Sequence, residues 1–157
     1  MFELIIMFSF VGLLLIAYYF SKTMFLVEVE IKHFASAGGS DYEKKSEKAK
    51  IPRKMSNIAK KEGLILVKVI GNSAQEAGIN NNNIVAIKKV NDVQNLTKGD
   101  VIYLKYKKYP DKFKLREFIS TNNQGIFSQT LDNGILRSSS HNIEDLVGVV
   151  KYNAVPR

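Results

Sequence analysis

Ser73 closes a Gly-Asn-Ser turn directly after the apolar run 64–70, and Lys114 stands 41 residues later in the alternating run 112–119. A serine hydroxyl becomes a nucleophile when a neutral amine takes its proton, and an amine is neutral near pH 7 only when burial disfavours the ammonium form. Phe113, Leu115 and Phe118 surround Lys114 in sequence and would supply that dry setting.

Other chemistries are poorly served. The chain has no cysteine and only two histidines, His33 and His141, so thiolate nucleophiles, disulfides and multi-histidine metal centres are excluded. Gly38-Gly39 is not followed by the Lys-Ser/Thr and helix of a phosphate loop. The carboxylates are scattered, and neither a metal nor a cofactor is expected.

The elements that must position Ser73 and Lys114 are short strands. The chain has 157 residues, 45% hydrophobic and 24% charged, enough for one ordinary domain and too apolar for a disordered protein. Residues 24–34 alternate apolar and polar, as a half-buried strand does. Further strands are predicted over 64–71, 84–90, 101–106, 112–119, 125–129, 134–137 and 146–152, with a helical turn opening the segment 72–83. Strands at this spacing predict a mostly β domain. Residues 35–50 are small and polar and read as an exposed loop. Eight basic residues face three acids between Glu43 and Glu62, which suits a solvated face or an anionic surface.

Residues 4–21 run 18 residues without a charge, close to the length that crosses a ~30 Å hydrocarbon layer. They predict one N-terminal transmembrane helix, since Glu3 and the lack of an early Lys or Arg argue against a signal peptide. Basic residues on the C-terminal side would hold the following domain in the cytoplasm, as a single-pass membrane protein. The expected organisation is an anchor over 1–22, a strand plus basic polar linker over 23–63, and a β domain over 64–157. The net charge of +8 favours anionic partners, membrane lipid among them. No aromatic platform points to a specific nucleic-acid partner. The oligomeric state is left open.

The order of segments from Val69 to Leu104 resembles the LexA/signal-peptidase-like fold. Gly71-Asn72-Ser73 is similar to that family's nucleophile turn, Gly78-Ile79 and Ile84-Val85-Ala86-Ile87 to the next segments, and Gly99-Asp100-Val101-Ile102 to a following strand. The closing run Ile143–Val150 is similar to the family's last strand. The resemblance covers about residues 64–152. It implies Ser73 as nucleophile, Lys114 as general base with Lys112 as runner-up, substrate binding at Gly71, Asn72 and Ala74, and an acyl-enzyme mechanism in which backbone N–H groups near Ser73 stabilise the oxyanion.

Three positions depart from the family pattern. Ala74 replaces a methionine, Asn82-Asn83 replaces Gly-Asp, and Lys114-Leu115-Arg116 replaces an adjacent Lys-Arg pair. If Arg116 matches the family's arginine, Leu115 takes the base position and the chemistry is lost. The self-cleaving branch of the family cuts an Ala-Gly bond, and Ala37-Gly38 lies 36 residues before Ser73. Two functions are therefore expected. One is a membrane-anchored serine/lysine peptidase that cleaves itself at Ala37-Gly38 or cuts a membrane-proximal protein. The other is a catalytically inactive module of the same fold, a membrane-tethered binding or assembly protein whose cleft would hold an extended partner segment. The small size and the Lys- and Asn-rich composition suit a phage or mobile-element protein.

Overall fold

The structure, a computed structural model, describes Gly12 and residues 25–37, 46–72, 74–90, 92–107, 109, 112–132 and 135–154. Ten strands and one α-helix make up these residues: β1 (Leu26–Ile31), β2 (His33–Ser36), β3 (Glu47–Pro52), α1 (Arg53–Glu62), β4 (Ile65–Ile70), β5 (Ile84–Lys89), β6 (Val101–Lys105), β7 (Phe113–Asn122), β8 (Gly125–Asp132), β9 (Ile135–His141) and β10 (Leu146–Ala154). Short 3-10 turns cover Gln75–Ala77, Val93–Asn95 and Ile143–Asp145.

Eight strands form one sheet in the order β2-β4-β5-β10-β6-β7-β8-β9, and β2 also pairs with β7. That second pairing closes six strands into a barrel. The closure is a single parallel bridge, Ser36 opposite Lys114, while β2 runs parallel to β4 over four residues. Every other pairing is antiparallel. The hairpin β8–β9 continues beyond the barrel from the far half of β7.

Alternation along the strands divides the apolar residues into separate layers. Ala35, Ala37, Val67, Val69, Val85, Ile87, Val101, Tyr103 and Leu115 fill the barrel, with Ala74 and Ile79 closing one end. Tyr103 and Phe113 stack there at 4.8 Å. On the outer face, Phe34, Ile84 and Ala86 meet Ile31, Ile51 and Met55 from β1, β3 and α1. A third cluster joins Ile102, Leu104, Phe118 and Ile126 where β7 leaves the barrel.

The loop expected over 35–50 is corrected at both ends. Residues 35 and 36 belong to β2, and 47–50 belong to β3, which pairs with β1. The charge density that reads as loop is one face of a two-stranded sheet. Glu28 and Glu30 stand opposite Lys50 and Lys48, and Lys48 bridges diagonally to Glu28 at 3.0 Å. Such exposed pairs contribute little, about 0.2–1 kcal/mol each. The fully buried Ile31 and Ile51 hold the pair of strands on the barrel.

The helix α1 was not expected within the basic linker. It buries Met55, Ser56 and Ala59 and ends at Gly63 in the left-handed conformation, with the Leu64 N–H returning to the Ala59 carbonyl. Lys60 and Lys61 in its last turn complement the helix dipole.

The expected transmembrane helix is also corrected. Among the described residues no helix is long and apolar enough to cross a membrane. The only helix of appreciable length among them, α1, has ten residues, five of them charged. It spans about 15 Å, half of what a bilayer core requires. Residues 4–21, Gly12 apart, lie outside the described residues. The single-pass reading with a cytoplasmic C-terminal domain is withdrawn with the helix.

Candidate functional site

The turn after β4 is built from asparagine side chains and two left-handed glycines. Gly71 has φ 93° and donates its N–H to Asn81 Oδ1 at 3.0 Å. Asn72 Oδ1 accepts from the Asn81 N–H at 3.2 Å, and its carbonyl accepts from Gln75 at 3.1 Å. Ala74 is buried, and its carbonyl accepts from both Ala77 and Ile79. Gly78, φ 72°, ends the short helical turn. Asn82 takes the left-handed conformation at φ 66°. Asn83 is buried, and its Oδ1 accepts from the Asn80 N–H at 2.8 Å. The backbone of Asn82 and Asn83 ties this loop to Val69 at 2.8 and 2.9 Å. The path at Asn82-Asn83 is therefore that of a tight turn without glycine. Ser73 itself lies outside the described residues.

Strand β2 runs alongside this turn. Ser36 lies between Ile70 of β4 and Lys114 of β7, and the Ala37 N–H donates to the Ile70 carbonyl at 2.7 Å. The expected scissile residue Ala37 thus lies in a bend just after β2, bonded to the last residue of β4, the strand that leads into Gly71. Its side chain, and that of Ala35, are in the barrel cluster with Val69, Ala74 and Leu115. Gly38 lies outside the described residues.

Lys114 is brought to this neighbourhood through its backbone, but its side chain is turned away. Successive residues of a strand face opposite sides. Leu115 is 1% exposed and belongs to the barrel cluster with Ala37 and Ala74, so Lys114 points to the outside. Its amine lies over the Tyr106 ring, 4.9 Å from the centroid. Burial lowers the Lys114 pKa, the neighbouring Arg116 charge lowers it further, and Asp145 opposes them. The Lys114 side chain is half-buried and lies on the opposite face of β7 from Leu115. Lys112, half-buried at the foot of β7, holds its amine 5.1 Å from the Tyr109 ring centroid.

A second cluster, absent from the sequence expectations, occupies the outer face. Register carries Lys114 and Arg116 of β7, Ser128 of β8, and Ser139 and His141 of β9 to one side of the sheet. His141 Nε2 lies 2.8 Å from Ser128 Oγ and 3.1 Å from Ser139 Oγ. Burial, then the charges of Lys114 and Arg116, push the His141 pKa down to about 4, against a smaller opposing effect of Asp145. The ring is therefore neutral at pH 7. The alternation of Ser139 and His141 in the run Ser138-Ser139-Ser140-His141 was the available sequence signal.

No family model matches the chain, and no curated protein matches it either.

Proposed function

We propose that the chain is a non-cleaving peptide-binding module of the LexA/signal-peptidase-like fold, with its groove filled by its own residues 33–37. The reading rests on one observation: β2 lies parallel to both β4 and β7, with Ala35 and Ala37 packed against Leu115 and Ala74. An extended segment held by main-chain hydrogen bonds, with alternate small side chains in a pocket, is the strand-addition mode of peptide recognition. What supports loss of cleavage is Leu115. If Arg116 matches the family's arginine, Leu115 stands at the base position, and leucine accepts no proton. The order of segments around Gly71-Asn72-Ser73 supports the family resemblance, as does the tight turn at Asn82-Asn83.

Intact-mass spectrometry tests the reading. The purified chain and its Ser73→Ala variant are incubated side by side at neutral and raised pH. Both remain at full mass if the module does not cleave. A fragment beginning at Gly38 in the parent chain, absent from Ser73→Ala, refutes the proposal and establishes self-cleavage.

A further inference from the structure

Strand β1 is paired on one edge, with β3. The register sets Leu26 opposite Pro52, and the Phe25 carbonyl accepts from the Arg53 N–H at 2.6 Å. Residues facing each other across an antiparallel pair alternate between bonded and non-bonded positions. Phe25, Val27, Val29 and Ile31 therefore direct their main-chain groups to β3, while Leu26, Glu28 and Glu30 direct theirs to the opposite edge. Pro52, which has no N–H to give, stands at a non-bonded position, as this phase requires. Among the described residues no strand pairs with that outer edge of β1.

A groove of about 380 Å³ lies there, within the size range of ligand sites. Glu28, Val29 and Glu30 of β1 line it together with Ser56, Ala59 and Lys60 of α1, and β3 contributes no residue. Leu64 and Leu66 complete the lining. Val29, Leu64 and Leu66 are half-buried against the cluster of Ile31, Ile51 and Met55, so the groove has an apolar base. Glu28 and Glu30 project from the other face of β1 into solvent. Lys48 and Lys32 each contact one oxygen of these carboxylates, at 3.0 and 3.5 Å, and both glutamates stay more than half exposed. A strand added to this edge would set alternate side chains on the Val29 side and the others beside Glu28 and Glu30.

We propose that the outer edge of β1 is a peptide-docking site that takes, as a third strand, an extended partner segment alternating basic and apolar residues. The main-chain groups of Glu28 and Glu30 supply the hydrogen bonds of strand addition, and the groove selects the apolar side chains. The paired edge already shows this complement: Lys50 and Lys48 stand opposite Glu28 and Glu30, with Ala49 and Ile51 opposite Val29 and Val27. A second copy of the chain is a poor occupant. Self-pairing through the main-chain groups of Glu28 and Glu30 sets carboxylates opposite carboxylates, and like charges across a strand pair are destabilising. The site is separate from the barrel groove and stands without it.

The test is amide hydrogen exchange of the full chain, read residue by residue by NMR, with a capped hexapeptide of alternating lysine and valine as probe. In the free chain the Glu28 and Glu30 amides should exchange fast and the Val29 amide, bonded to β3, slowly. Saturating peptide should slow Glu28 and Glu30 about ten-fold or more, as new main-chain hydrogen bonds imply. The same peptide with glutamate in place of lysine should protect them less. Glu30→Pro removes the outward N–H at a position where an edge strand tolerates proline, and should bind the peptide about five-fold or more weakly than Glu30→Gln, which keeps it. If Glu30→Pro fails to fold by circular dichroism, exchange in the parent chain decides alone. Peptide binding that leaves both amides unprotected, or equal affinity in the two folded variants, would overturn the proposal. So would amides already protected in the free chain: protection that grows with protein concentration means a second copy holds the edge, and protection independent of it means the chain covers its own edge.

Discussion

Leu115 and Lys114 are neighbours with opposite environments, and exchanging each in turn measures which one faces the barrel. Leu115 is 1% exposed and is enclosed by Tyr103, Ala35, Ala37 and Ala74. The surrounding strands are closed by hydrogen bonds, so a cavity left by Leu115→Ala has little means of collapse. The expected cost is about 3–4 kcal/mol, within the usual range for buried leucine truncation. For a chain of this size that lowers Tm by about 10 °C. Lys114→Gln removes a charge that burial and Arg116 already disfavour, at the loss of its amine contact with the Tyr106 ring. Its stability should stay within about 0.5 kcal/mol of the parent. Thermal unfolding by circular dichroism, with urea titration for the free energies, reads both. A large loss in Lys114→Gln with a mild one in Leu115→Ala would reverse the faces of β7. It would also put an amine in the barrel, where Leu115 now stands.

Two further outcomes follow from close packing and from titration. A Cβ on Gly148 would overlap the Lys88 carbonyl oxygen and come within 2.7 Å of Ile87 Cγ2, where β10 shifts register between β5 and β6. Gly148→Ala should therefore destabilise by about 1–3 kcal/mol in a denaturant titration, whereas the same change at the open Gly99 meets no neighbour and is opposed only by its positive φ. His141 has a folded pKa of about 4 against 6.5 unfolded, so the unfolded chain binds more protons between these values. Its neutral burial stabilises the fold above pH 6.5, and that contribution is lost as pH falls towards 4. Tm measured across this window should fall less steeply in His141→Gln than in the parent chain.

Much of the β architecture is legible in the residue order. The strands over 65–70, 84–89, 101–105 and 113–122 lie where alternation and apolar runs predict them, because strand pairing demands only a local period of two. Asn82 is similar: a residue tolerant of left-handed backbone stands where the turn requires φ 66°. The segment 47–62 was not legible. Its lysines obscure both β3 and α1, whose few buried side chains, Ile51, Met55 and Ala59, matter only because β1 and the barrel wall receive them.

The sequence by itself determined the strand periodicity and the left-handed turn at Asn82, since each depends on a few adjacent residues. Only the tertiary structure decided that β2 inserts between β4 and β7, that Leu115 rather than Lys114 faces Ala74, and that His141 meets Ser128 and Ser139. Those outcomes depend on which strands become neighbours and in what register. A shift of one residue exchanges every inward side chain for an outward one, and nothing local to Lys114 records which way that choice falls.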